Sequence, residues 1–413
     1  MPVPADAPFR ILMVLDHPFP PDIRVENEAL SLIEEGFEVA LLAVAPDDRP
    51  ARDTYRGIRL FRDRIHKEAR NKMRGLAGTV PLLTWYLSRQ IRQVYLDYPF
   101  DVLHMHDLYL FGGGLRVGRR LRVPVVGDLH ETWVEALKHY AWSTRFPGKL
   151  FISMPRWERL EKQWVNAVDR LVVVIEEAAE RNLALGVDPN KITIVPNTVN
   201  LSDFEGYEVE PDLVKAVQSD LTITYTGAFD VHRGLASVLW AIPRMLAVHP
   251  GTTLVLVGDG RIRPELEALA GQLGIADHVR FEGWQPQARL KSYLLGSDVC
   301  LVPHLKTVHT DATIPHKLFH YMYLEKPVVV TNCRPLRRIV EQVQAGLVYP
   351  SGDADALAEA LLALAVDREA ARAMGQRGRT AVLERYHWDA TVQGLVEMYR
   401  GLAEQGVKRK GTA

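Results

Sequence analysis

Short apolar runs rich in β-branched residues alternate along the chain with segments of helical periodicity. The first run, Ile11 to Leu15, leads into a turn-rich loop, Asp16 to Asp22. Apolar residues at helical spacing follow from Val25 to Ile33, and Gly36 then precedes a second run, Val39 to Val44. A strand, a helix closed by glycine and another strand form a βαβ unit. The alternation therefore predicts an α/β fold with a parallel sheet.

The pattern continues and then restarts, which predicts two doubly wound Rossmann-like domains facing a cleft. Further strands of the first domain are predicted at Val102 to His104, Val123 to Val126, Leu171 to Val174 and Ile192 to Val195. Those of the second are Thr222 to Tyr225, Thr253 to Val257, Val279 to Phe281, Val299 to Val302 and Val328 to Val330. We place the N-terminal domain at residues 1–200 and the C-terminal domain at 201–385. The last helix, within 386–413, is expected to cross back and pack on the N-terminal domain.

The composition predicts a soluble globular protein and argues against one class of partner. Charged residues make up 24% and apolar residues 47% of 413 residues, and a formal net charge of −1 argues against a nucleic-acid partner. Cys300 and Cys333 lie in or beside apolar runs, as buried thiols do in a reducing compartment. Neither a signal-peptide pattern nor a membrane-length apolar window is found, so we expect a cytoplasmic protein.

Polar residues and glycines follow the predicted strands, at the sheet edge where ligands of such folds bind. In the N-terminal half they are Asp16, His17, His104, His106, Asp107, Asp128, His130 and Glu131. In the C-terminal half they are Gly227, Ala228, Arg233, Gly258, Asp259 and Gly260. Glycine lets a backbone approach a ligand closely, and Arg233 is a permanent cation suited to a diphosphate. The first loop lacks the G-x-G-x-x-G dinucleotide fingerprint, and Gly112 to Gly114 do not supply it.

The stretch Thr313 to Thr331 predicts a loop, a short helix and a buried strand. Thr313 suits a helix start through its hydroxyl, and Pro315 fits the first turn. Free amides at such a start can hold a phosphate, helped by the positive end of the helix dipole. His316 and His320 fall on the face opposite the apolar one. Two interpretations stay open for them: residues that line a cleft, or solvated surface residues.

An ordered set of motifs runs through the chain. The motifs are Val195-Pro196-Asn197, Tyr225-Thr226-Gly227, Arg233-Gly234, Val257-Gly258-Asp259-Gly260, Phe281-Glu282-Gly283-Trp284, Ser297-Asp298-Val299, Pro315-His316-Lys317-Leu318-Phe319 and Lys326-Pro327-Val328-Val329. In order and spacing the set resembles the retaining GT-B glycosyltransferases of family four, from about Arg10 to Leu402. The resemblance implies transfer of a sugar from a nucleotide-diphosphate sugar, held mainly by the C-terminal domain. The acceptor, a glycan or lipid-linked saccharide, would be held mainly by the N-terminal domain.

The resemblance and the strand-end pattern together assign candidate roles. The donor-binding candidates are Gly227, Ala228, Arg233, Gly258, Asp259, Gly260, Asp311, Thr313, Ile314, Lys317 and His320. The acceptor-binding candidates are Asp16, His17, Arg24, His106, Asp107 and Asp128. The catalytic candidates are His130, Glu131 and Arg233.

The chain departs from the family pattern on the donor side. Ala312 and His320 occupy the positions of the usual glutamate pair, of which the first orients the donor sugar and the second binds ribose hydroxyls. Asp311 is one residue away and could supply the missing carboxylate if the loop shifts. Arg233 stands where many relatives have lysine, and Ala228 where many have arginine. These departures bear on the identity of the donor and on whether the site is active.

The chemistry that the resemblance implies is stabilisation of a diphosphate leaving group. Arg233, Lys317 and helix amides would supply fixed positive charge, so neither a metal nor another cofactor is expected. The leaving phosphate can itself take the proton of the acceptor hydroxyl. We therefore expect His130 to position the sugar and support charge, with His130 or Glu131 acting as general base as the alternative.

Four histidines of the C-terminal half are candidate metal ligands: His304, His309, His316 and His320. Zinc would need three or four of them to converge with an oriented second shell of partners. Lys317 follows His316 where the zincin motif has glutamate. The sequence therefore predicts no metal here.

Two basic, aromatic segments could bind an anionic membrane surface. Between Arg56 and Arg92 there are about ten basic and about two acidic side chains, interleaved with apolar ones. The second segment holds Trp142, Arg145, Phe146, Lys149, Phe151, Arg156 and Trp157. Interfacial binding would make the protein peripheral on the cytoplasmic membrane face. A solvated helix face with ordinary core aromatics, or an intersubunit contact, remains the alternative.

Two other functions remain open at this point. One is a nucleotide-sugar epimerase or hydrolase of the same architecture, against which the segment Pro315 to Phe319 favours transfer. The other is an inactive GT-B scaffold, suggested by Ala312 and His320. Arg233, His130 and the glycine loops favour an enzyme.

Overall fold

The computed structural model describes residues 8–45, 49–65, 67–138 and 152–411. The chain divides into two compact units, Met1–Pro196 together with Val392–Ala413, and Asn197–Thr391. Each unit is built on one sheet whose strands alternate with helices. The predicted α/β class with two domains is confirmed.

The sheet of the first unit has eight strands in the order β3-β4-β2-β1-β5-β6-β7-β8. Their bounds are β1 Arg10–Pro18, β2 Glu38–Val44, β3 Arg52–Tyr55, β4 Ile58–Asp63, β5 Val102–His106, β6 Val125–Leu129, β7 Arg170–Val173 and β8 Ile192–Ile194. The pairs are parallel except β3 with β4, which is antiparallel. The strands β1, β5 and β6 are neighbours, so their carboxyl ends meet at one edge and bring the residues that follow them together.

Helices of the first unit lie between these strands, and one follows at the C-terminus of the chain. They are α1 Ile23–Glu34, α2 Lys67–Leu76, α3 Leu82–Asp97, α4 Phe111–Leu121, α5 Trp133–Leu137, α6 Met154–Ala167 and α7 Glu176–Ala184. The start of α1 is capped by Asp22, whose side chain accepts a hydrogen bond from the backbone N–H of Val25 (3.0 Å). This cap fixes the start of α1 and therefore the position of Arg24 in its first turn.

Two differences from the predicted strands have physical causes. The hairpin of β3 and β4 was not predicted, because β3 is an exposed edge strand without an apolar face. The strand β6 begins and ends later than predicted, at Val125–Leu129, and includes the buried Asp128. An apolar pattern does not find a carboxylate inside a strand, because such a residue is stable there only when buried partners surround it.

The second unit has a six-stranded parallel sheet in the order β11-β10-β9-β12-β13-β14. Its strands are β9 Leu221–Thr226, β10 Thr252–Val257, β11 Val279–Gly283, β12 Val299–Val302, β13 Val328–Thr331 and β14 Gly346–Tyr349. Its helices are α8 Leu201–Glu205, α9 Pro211–Val217, α10 Leu235–Val248, α11 Arg263–Gln272, α12 Gln287–Leu295, α13 Lys317–Tyr323, α14 Arg334–Val343, α15 Ala354–Val366, α16 Arg368–Glu384 and α17 Trp388–Thr391. The strand β14, which is only partly buried apart from Tyr349, was not predicted.

The short helix of the Thr313 to Thr331 stretch starts later than predicted. The helix α13 begins at Lys317, with His316 in the cap position, and the hydroxyl of Thr313 donates to the carbonyl of His309 (3.2 Å). Thr313 is therefore not the helix cap, since His316 holds that position and the Thr313 hydroxyl closes the preceding turn. The predicted buried strand after the helix is confirmed as β13.

The last helix, α18 Gln393–Gly411, belongs to the first unit, as predicted. It packs against β8 and α1 and buries Leu395, Val396 and Tyr399. The helix thereby delivers a polar group, the Tyr399 hydroxyl, into the interior of the first unit. None of the helices in the described part of the chain combines the length and hydrophobicity required to cross a membrane.

Candidate functional site

In the first unit, the ends of β1, β5 and β6 gather a dense set of polar side chains. Asp16 lies two residues before the end of β1, His106 ends β5 and Asp107 follows it, and Asp128 and His130 lie on either side of the last residue of β6. Asp16, His106 and Asp128 are all buried. Ligands of such folds bind at the carboxyl ends of the strands, and we call this the strand-end rule. The acceptor-side candidates that this rule predicted lie at one edge of the sheet.

Asp128 is the centre of this cluster. Its Oδ2 lies 2.9 Å from His130 Nε2 and 3.1 Å from His106 Nδ1. Arg24 donates through Nη2 to Asp128 Oδ1 (3.2 Å) and through Nη1 to the carbonyl of Val195 (2.9 Å). A buried carboxylate is stable only when paired and hydrogen-bonded, and Asp128 meets that condition on both oxygens.

Three further members of the cluster were given no donor, acceptor or catalytic role: Glu28, Tyr399, and His104, which was predicted only as a strand-end residue. Glu28 Oε1 lies 3.0 Å from Arg24 Nη2, one helical turn along α1. His104 Nδ1 is 2.6 Å from the Tyr399 hydroxyl, and the rings of His104 and His106 stack with centroids 4.4 Å apart. The i,i+4 spacing of Arg24 with Glu28 and the i,i+2 spacing of the histidines were available signals. For Tyr399 the sequence carries no local signal.

The charges of the cluster follow from burial and from Asp128. Burial lowers the pKa of His130, but Asp128 outweighs burial through its charge and hydrogen bond and raises the pKa to about 9. Burial would raise the pKa of Asp128, yet Arg24 and His130 hold it well below its usual range. Burial lowers the pKa of His104 and of His106. At neutral pH His130 is therefore an imidazolium beside an ionised Asp128, whereas the two strand histidines are neutral.

Carboxyl groups around this cluster bind protons more readily than usual. Burial, and next Asp107, raises the pKa of Glu131 to about 7. Burial raises the pKa of Asp16 to about 6, although Arg74 and Arg70 oppose the change. Near neutral pH these carboxyl groups are partly protonated, so they can donate as well as accept hydrogen bonds.

Two arginines of α2 lie beside Asp16. Arg70 Nε is 3.8 Å and Arg74 Nη1 is 3.7 Å from its carboxylate oxygens. The guanidinium of Arg74 also lies over the rings of Tyr109 and Trp133, 5.5 Å from each centroid. His17, the other candidate of this loop, is half exposed and pairs with Asp22 (3.1 Å).

Four residues of the cluster have the composition of a metal site: Glu28, His104, His106 and Asp128. One ligand atom from each lies within 4.8 Å of the others, the single such group within the described ranges of the chain. Arg24 Nη2 is, however, 3.0 Å from Glu28 and 3.2 Å from Asp128. The positive charge that a cation would bring to these carboxylates is thus already supplied by Arg24 and His130.

The second unit brings two cations together beside a glycine loop after β9. Lys317 Nζ lies over the Tyr225 ring, 3.9 Å from its centroid, and would be 2.5 Å from a β-carbon at Gly227. Gly227 has a φ of +130°, so glycine is required both by conformation and by space. Burial lowers the pKa of Lys317 well below its usual range, and the positive charge of Arg233 adds to this.

Arg233 is held in place by an uncharged partner. Its Nη1 donates to His304 Nε2 (2.8 Å), and burial, followed by Arg233, lowers the pKa of His304 well below its usual range. Within the described residues, neither Arg233 nor Lys317 forms an ion pair with a carboxylate. Two neighbouring basic side chains without a counter-ion are suited to an anion, whose charge would also favour protonation of Lys317.

The remaining donor-side candidates have mainly structural contacts. Gly258 packs on the backbone of Gly227, Gly260 packs on that of Phe229, and Asp259 pairs with Arg263 (3.1 Å). The carbonyl of Ala228 accepts from the Tyr225 hydroxyl (2.9 Å), and Ile314 is buried. These positions shape the loops that surround Lys317 but present no free charged group to a ligand.

Asp311 and His320 have partners of their own. The carboxylate of Asp311 accepts from Lys306 Nζ (2.8 Å) and from the backbone N–H of Arg334 (2.7 Å). His320 stacks on Phe204 with ring centroids 4.8 Å apart, and burial, followed by His316, lowers its pKa to about 3. Asp311 thus serves the loop before α14, and His320 is a neutral ring at neutral pH.

Comparison with known proteins identifies relatives over almost the whole chain. The model of the family described as glycosyl transferases group 1 matches residues 212–381, and that of Glycosyltransferase Family 4 matches residues 23–203. A phosphatidyl-myo-inositol mannosyltransferase of Mycobacterium leprae is 26% identical over 321 residues, covering 77% of this chain and 78% of that protein. A D-inositol 3-phosphate glycosyltransferase of Acidothermus cellulolyticus is 30% identical over 329 residues, covering 74% and 68%.

Solved structures agree with these sequence matches. Sucrose-phosphate synthase (tll1590) from Thermosynechococcus elongatus has a TM-score of 0.75 at 19% identity, covering 96% of this chain and 100% of that one. Anabaena Alr3699/HepE in complex with UDP-glucose has a TM-score of 0.70 at 14% identity, covering 95% and 99%. The chain has the GT-B fold and belongs to the group 1, family-four glycosyltransferases.

Proposed function

We propose that this glycosyltransferase moves a sugar from a nucleotide-diphosphate sugar to a glycan or lipid-linked acceptor, with retention of anomeric configuration and without a metal. The observation that carries the proposal is that Lys317, beside Gly227, interacts electrostatically with Arg233, and that neither basic side chain has a carboxylate partner in the described part of the chain. A diphosphate offers several charged oxygens at the spacing that two such cations can share. The UDP-glucose complex of the similar Alr3699/HepE supports the choice of ligand class.

The proposed chemistry uses these cations to stabilise the leaving diphosphate as its negative charge develops. In a transfer with retention, the leaving phosphate takes the proton from the attacking acceptor hydroxyl, and the new glycosidic bond forms on the face that the phosphate leaves. His130, with a pKa raised to about 9 by Asp128, is protonated at neutral pH. An imidazolium cannot accept a proton, so we assign His130 to positioning and charge support rather than to general-base catalysis.

Metal independence is proposed from the charges of the residues themselves. Arg233 supplies permanent positive charge where a divalent ion would otherwise neutralise the diphosphate, and the charge of a bound diphosphate favours protonation of the nearby Lys317. In the first unit Arg24 already lies between the carboxylates of Glu28 and Asp128. Activity is therefore expected to be unchanged by EDTA, and restoration of lost activity by Mg²⁺ or Mn²⁺ would contradict this part of the proposal.

The proposed acceptor site is the cluster at the ends of β1, β5 and β6. Asp16 and Glu131, with pKa values raised to about 6 and about 7, can exchange hydrogen bonds with the hydroxyl groups of a sugar or polyol. The names of two relatives both contain a phosphorylated inositol, which supports a polyol-type or lipid-linked acceptor. The arginines Arg70 and Arg74 beside Asp16 are suited to a phosphate on such an acceptor.

We also propose a cytoplasmic location with peripheral binding to an anionic membrane through the segment 56–92. Exposed apolar side chains support it, because Val80, Leu82 and Trp85 lie at the surface where α3 begins. Some of the cations of this segment are paired, for example Arg56 with Glu26 and Arg62 with Asp53. In the second basic segment, Trp142 to Phe151 lie outside the described residues and Trp157 is buried.

The donor site can be tested by thermal unfolding with UDP, GDP, ADP and their common sugar conjugates. A ligand that binds only the folded state at 100 times its Kd stabilises it by about 2.7 kcal/mol. We expect one nucleotide to stabilise the wild type and the control Arg244→Ala, whose arginine pairs at the surface with Asp355 and Glu359. Arg233→Ala and Lys317→Met are expected to lose the shift. If no nucleotide stabilises the wild type, the donor site and the enzyme interpretation fail together.

The reaction is tested with the nucleotide sugar so identified. Product analysis by NMR is expected to show the anomeric configuration of the donor in the glycoside, whereas an inverted product would refute retention. Turnover of the nucleotide sugar without any acceptor would favour the epimerase or hydrolase alternative. Nucleotide binding without turnover on glycan and lipid-linked acceptors would favour an inactive scaffold.

A further inference from the structure

A groove lined by arginines lies between α3 and α4 of the first unit, apart from the residues assigned to the donor and acceptor sites. Its α3 side belongs to the segment 56–92, so a lipid ligand in this groove would rest on the membrane binding proposed above. The volume of the groove is about 210 Å³, and its lining includes Arg89 and Arg92 from α3 and Arg116 and Arg120 from α4. Within the described part of the chain, no carboxylate forms an ion pair or hydrogen bond with any of these four side chains. They differ in this from Arg56, Arg62 and Arg74, which face acids.

The two helices approach closely because α4 begins with three consecutive glycines. A β-carbon at Gly112 would be 2.7 Å from the hydroxyl of Thr84 on α3, and one at Gly113 would be 2.8 Å from the β-carbon of Leu87. One at Gly114 would be 2.6 Å from Met105 on β5. All three distances are too short for real side chains. The three glycines, which fit no nucleotide fingerprint, therefore let α3 and α4 pack so closely that both arginine pairs line one groove.

The spacing of the arginines puts like charges together. Arg116 and Arg120 are one helical turn apart on α4, and Arg89 and Arg92 are one turn apart on α3. Like charges on neighbouring turns repel one another, so without a ligand this arrangement destabilises the helices. An anion placed in the groove removes the repulsion and receives hydrogen bonds from the guanidinium groups, which match phosphate oxygens in geometry.

We propose that this groove is a binding site for a phosphate group that carries two or more negative charges, such as a phosphomonoester or a diphosphate. Four guanidinium groups exceed what a single carboxylate or sulfate ester would neutralise. Trp85, which is 52% exposed, also lines the groove, and Leu82, 43% exposed, lies at the start of the same helix. Both sources of such a phosphate fit the chemistry: the head group of a lipid at a membrane surface, or a free phosphorylated molecule. The site does not depend on the donor or acceptor assignments made above.

The experiment measures how fast phenylglyoxal modifies each arginine, located by peptide mass spectrometry, in the full-length protein. The probes are inorganic pyrophosphate, vesicles of phosphatidylcholine with phosphatidic acid, and vesicles of phosphatidylcholine alone. Because each arginine is read separately, pyrophosphate bound at Arg233 does not confuse the result. We expect slower modification of Arg89, Arg92, Arg116 and Arg120 with pyrophosphate, with the phosphatidic acid vesicles, or with both. Arg119, on the same helix but outside the groove, is expected to react at an unchanged rate.

A double variant, Arg116→Gln with Arg120→Gln, tests whether the four side chains act as one site. Half protection of Arg89 and Arg92 is then expected to need at least about tenfold more pyrophosphate or phosphatidic acid, because two charged hydrogen-bond donors are lost. The matched control Arg119→Gln removes the same type of charge from the same helix and is expected to leave the protection unchanged. Equal circular dichroism spectra and thermal midpoints verify that the variants are folded.

The outcomes distinguish the two sources of the phosphate group and include two results that would overturn the proposal. Protection by pyrophosphate supports a site for a free phosphorylated ligand, and protection by phosphatidic acid vesicles alone supports a lipid head group. The proposal is overturned if neither probe slows modification of the four arginines. It is overturned equally if Arg119 is protected to the same extent, because that result would mean general screening of a basic helix.

Discussion

Replacing Asp128 by asparagine removes the charge that keeps His130 protonated while preserving the size of the side chain. In the wild type, Asp128 outweighs the effect of burial and raises the pKa of His130 to about 9. The interval between the ordinary pKa of histidine and about 9 corresponds to roughly 3 kcal/mol in favour of the imidazolium. Burial of the ring remains in Asp128→Asn, so we expect its pKa to fall below 6.5. At pH 7.5 the ring then changes from protonated to mostly neutral.

The assay is a histidine NMR titration of isotope-labelled protein, with the His130 signal assigned by its loss in His130→Gln. Asp107→Asn is the graded control, because Asp107 also raises the pKa of His130, but through its charge alone and less than Asp128 does. We expect a small decrease of the His130 pKa in Asp107→Asn and a large one in Asp128→Asn. If His130 still titrates above pH 8 in Asp128→Asn, the assignment of its charge to Asp128 is refuted.

The same substitution has a consequence for stability that depends on pH. His130 has a higher pKa in the folded state than in the unfolded chain, so it stabilises the fold fully below pH 6.5 and loses this effect as the pH rises through about 9. Asp128→Asn is expected to abolish this decline. It also leaves the buried Arg24 without its main counter-ion, which costs about 3–5 kcal/mol. Chemical denaturation of both proteins at pH 6, 7.5 and 9 measures both effects.

Three further substitutions test single contacts. Gly227→Ala puts a β-carbon 2.5 Å from Lys317 Nζ at a φ of +130°, and is expected to weaken nucleotide binding by about tenfold or more in calorimetry. Tyr399→Phe leaves the buried His104 Nδ1 without its partner and is expected to lower the free energy of unfolding by about 1–3 kcal/mol, with unchanged nucleotide affinity. Gly113→Ala puts a β-carbon 2.8 Å from a side-chain carbon of α3, and is expected to cost about 1–3 kcal/mol in the same denaturation assay. Unchanged values in any of the three would refute the contact concerned.

The sequence predicts the strands of both sheets best where both faces of a strand are buried, because such strands are continuous apolar runs. The run Ile11 to Leu15 became the centre of β1, and Val299 to Val302 became β12 with the same bounds. The edge strand β3 escaped prediction because an exposed strand needs no apolar side chains. The end of β6 escaped because Asp128 is stable inside the sheet only through Arg24 and the histidines, which come from distant parts of the chain.

The site of the first unit could be predicted in part. The strand-end rule predicts that Asp16, His106 and Asp128 lie at the same edge of the sheet, and they meet because β1, β5 and β6 are neighbours in it. This rule cannot predict Tyr399, because Tyr399 contacts His104 from α18, 295 positions later in the chain. Nor can the rule predict that His130 is protonated, because the pKa of His130 depends on its burial and on every charged group around it.

On the donor side, the sequence predicted Arg233 and Lys317 as phosphate-binding residues, and in the described part of the chain neither of them pairs with a carboxylate. Asp311 was a candidate to replace the family glutamate missing at Ala312, yet its carboxylate is held by Lys306 and the start of α14. His320, at the second glutamate position, is neutral because burial lowers its pKa to about 3. Both departures remove negative charge from the donor-side positions of the family and leave Arg233 and Lys317 unopposed. For the proposed nucleotide-sugar donor, we therefore expect more of the binding energy to come from the diphosphate, and less from hydroxyl groups of the sugar and ribose, than at a site with the glutamate pair.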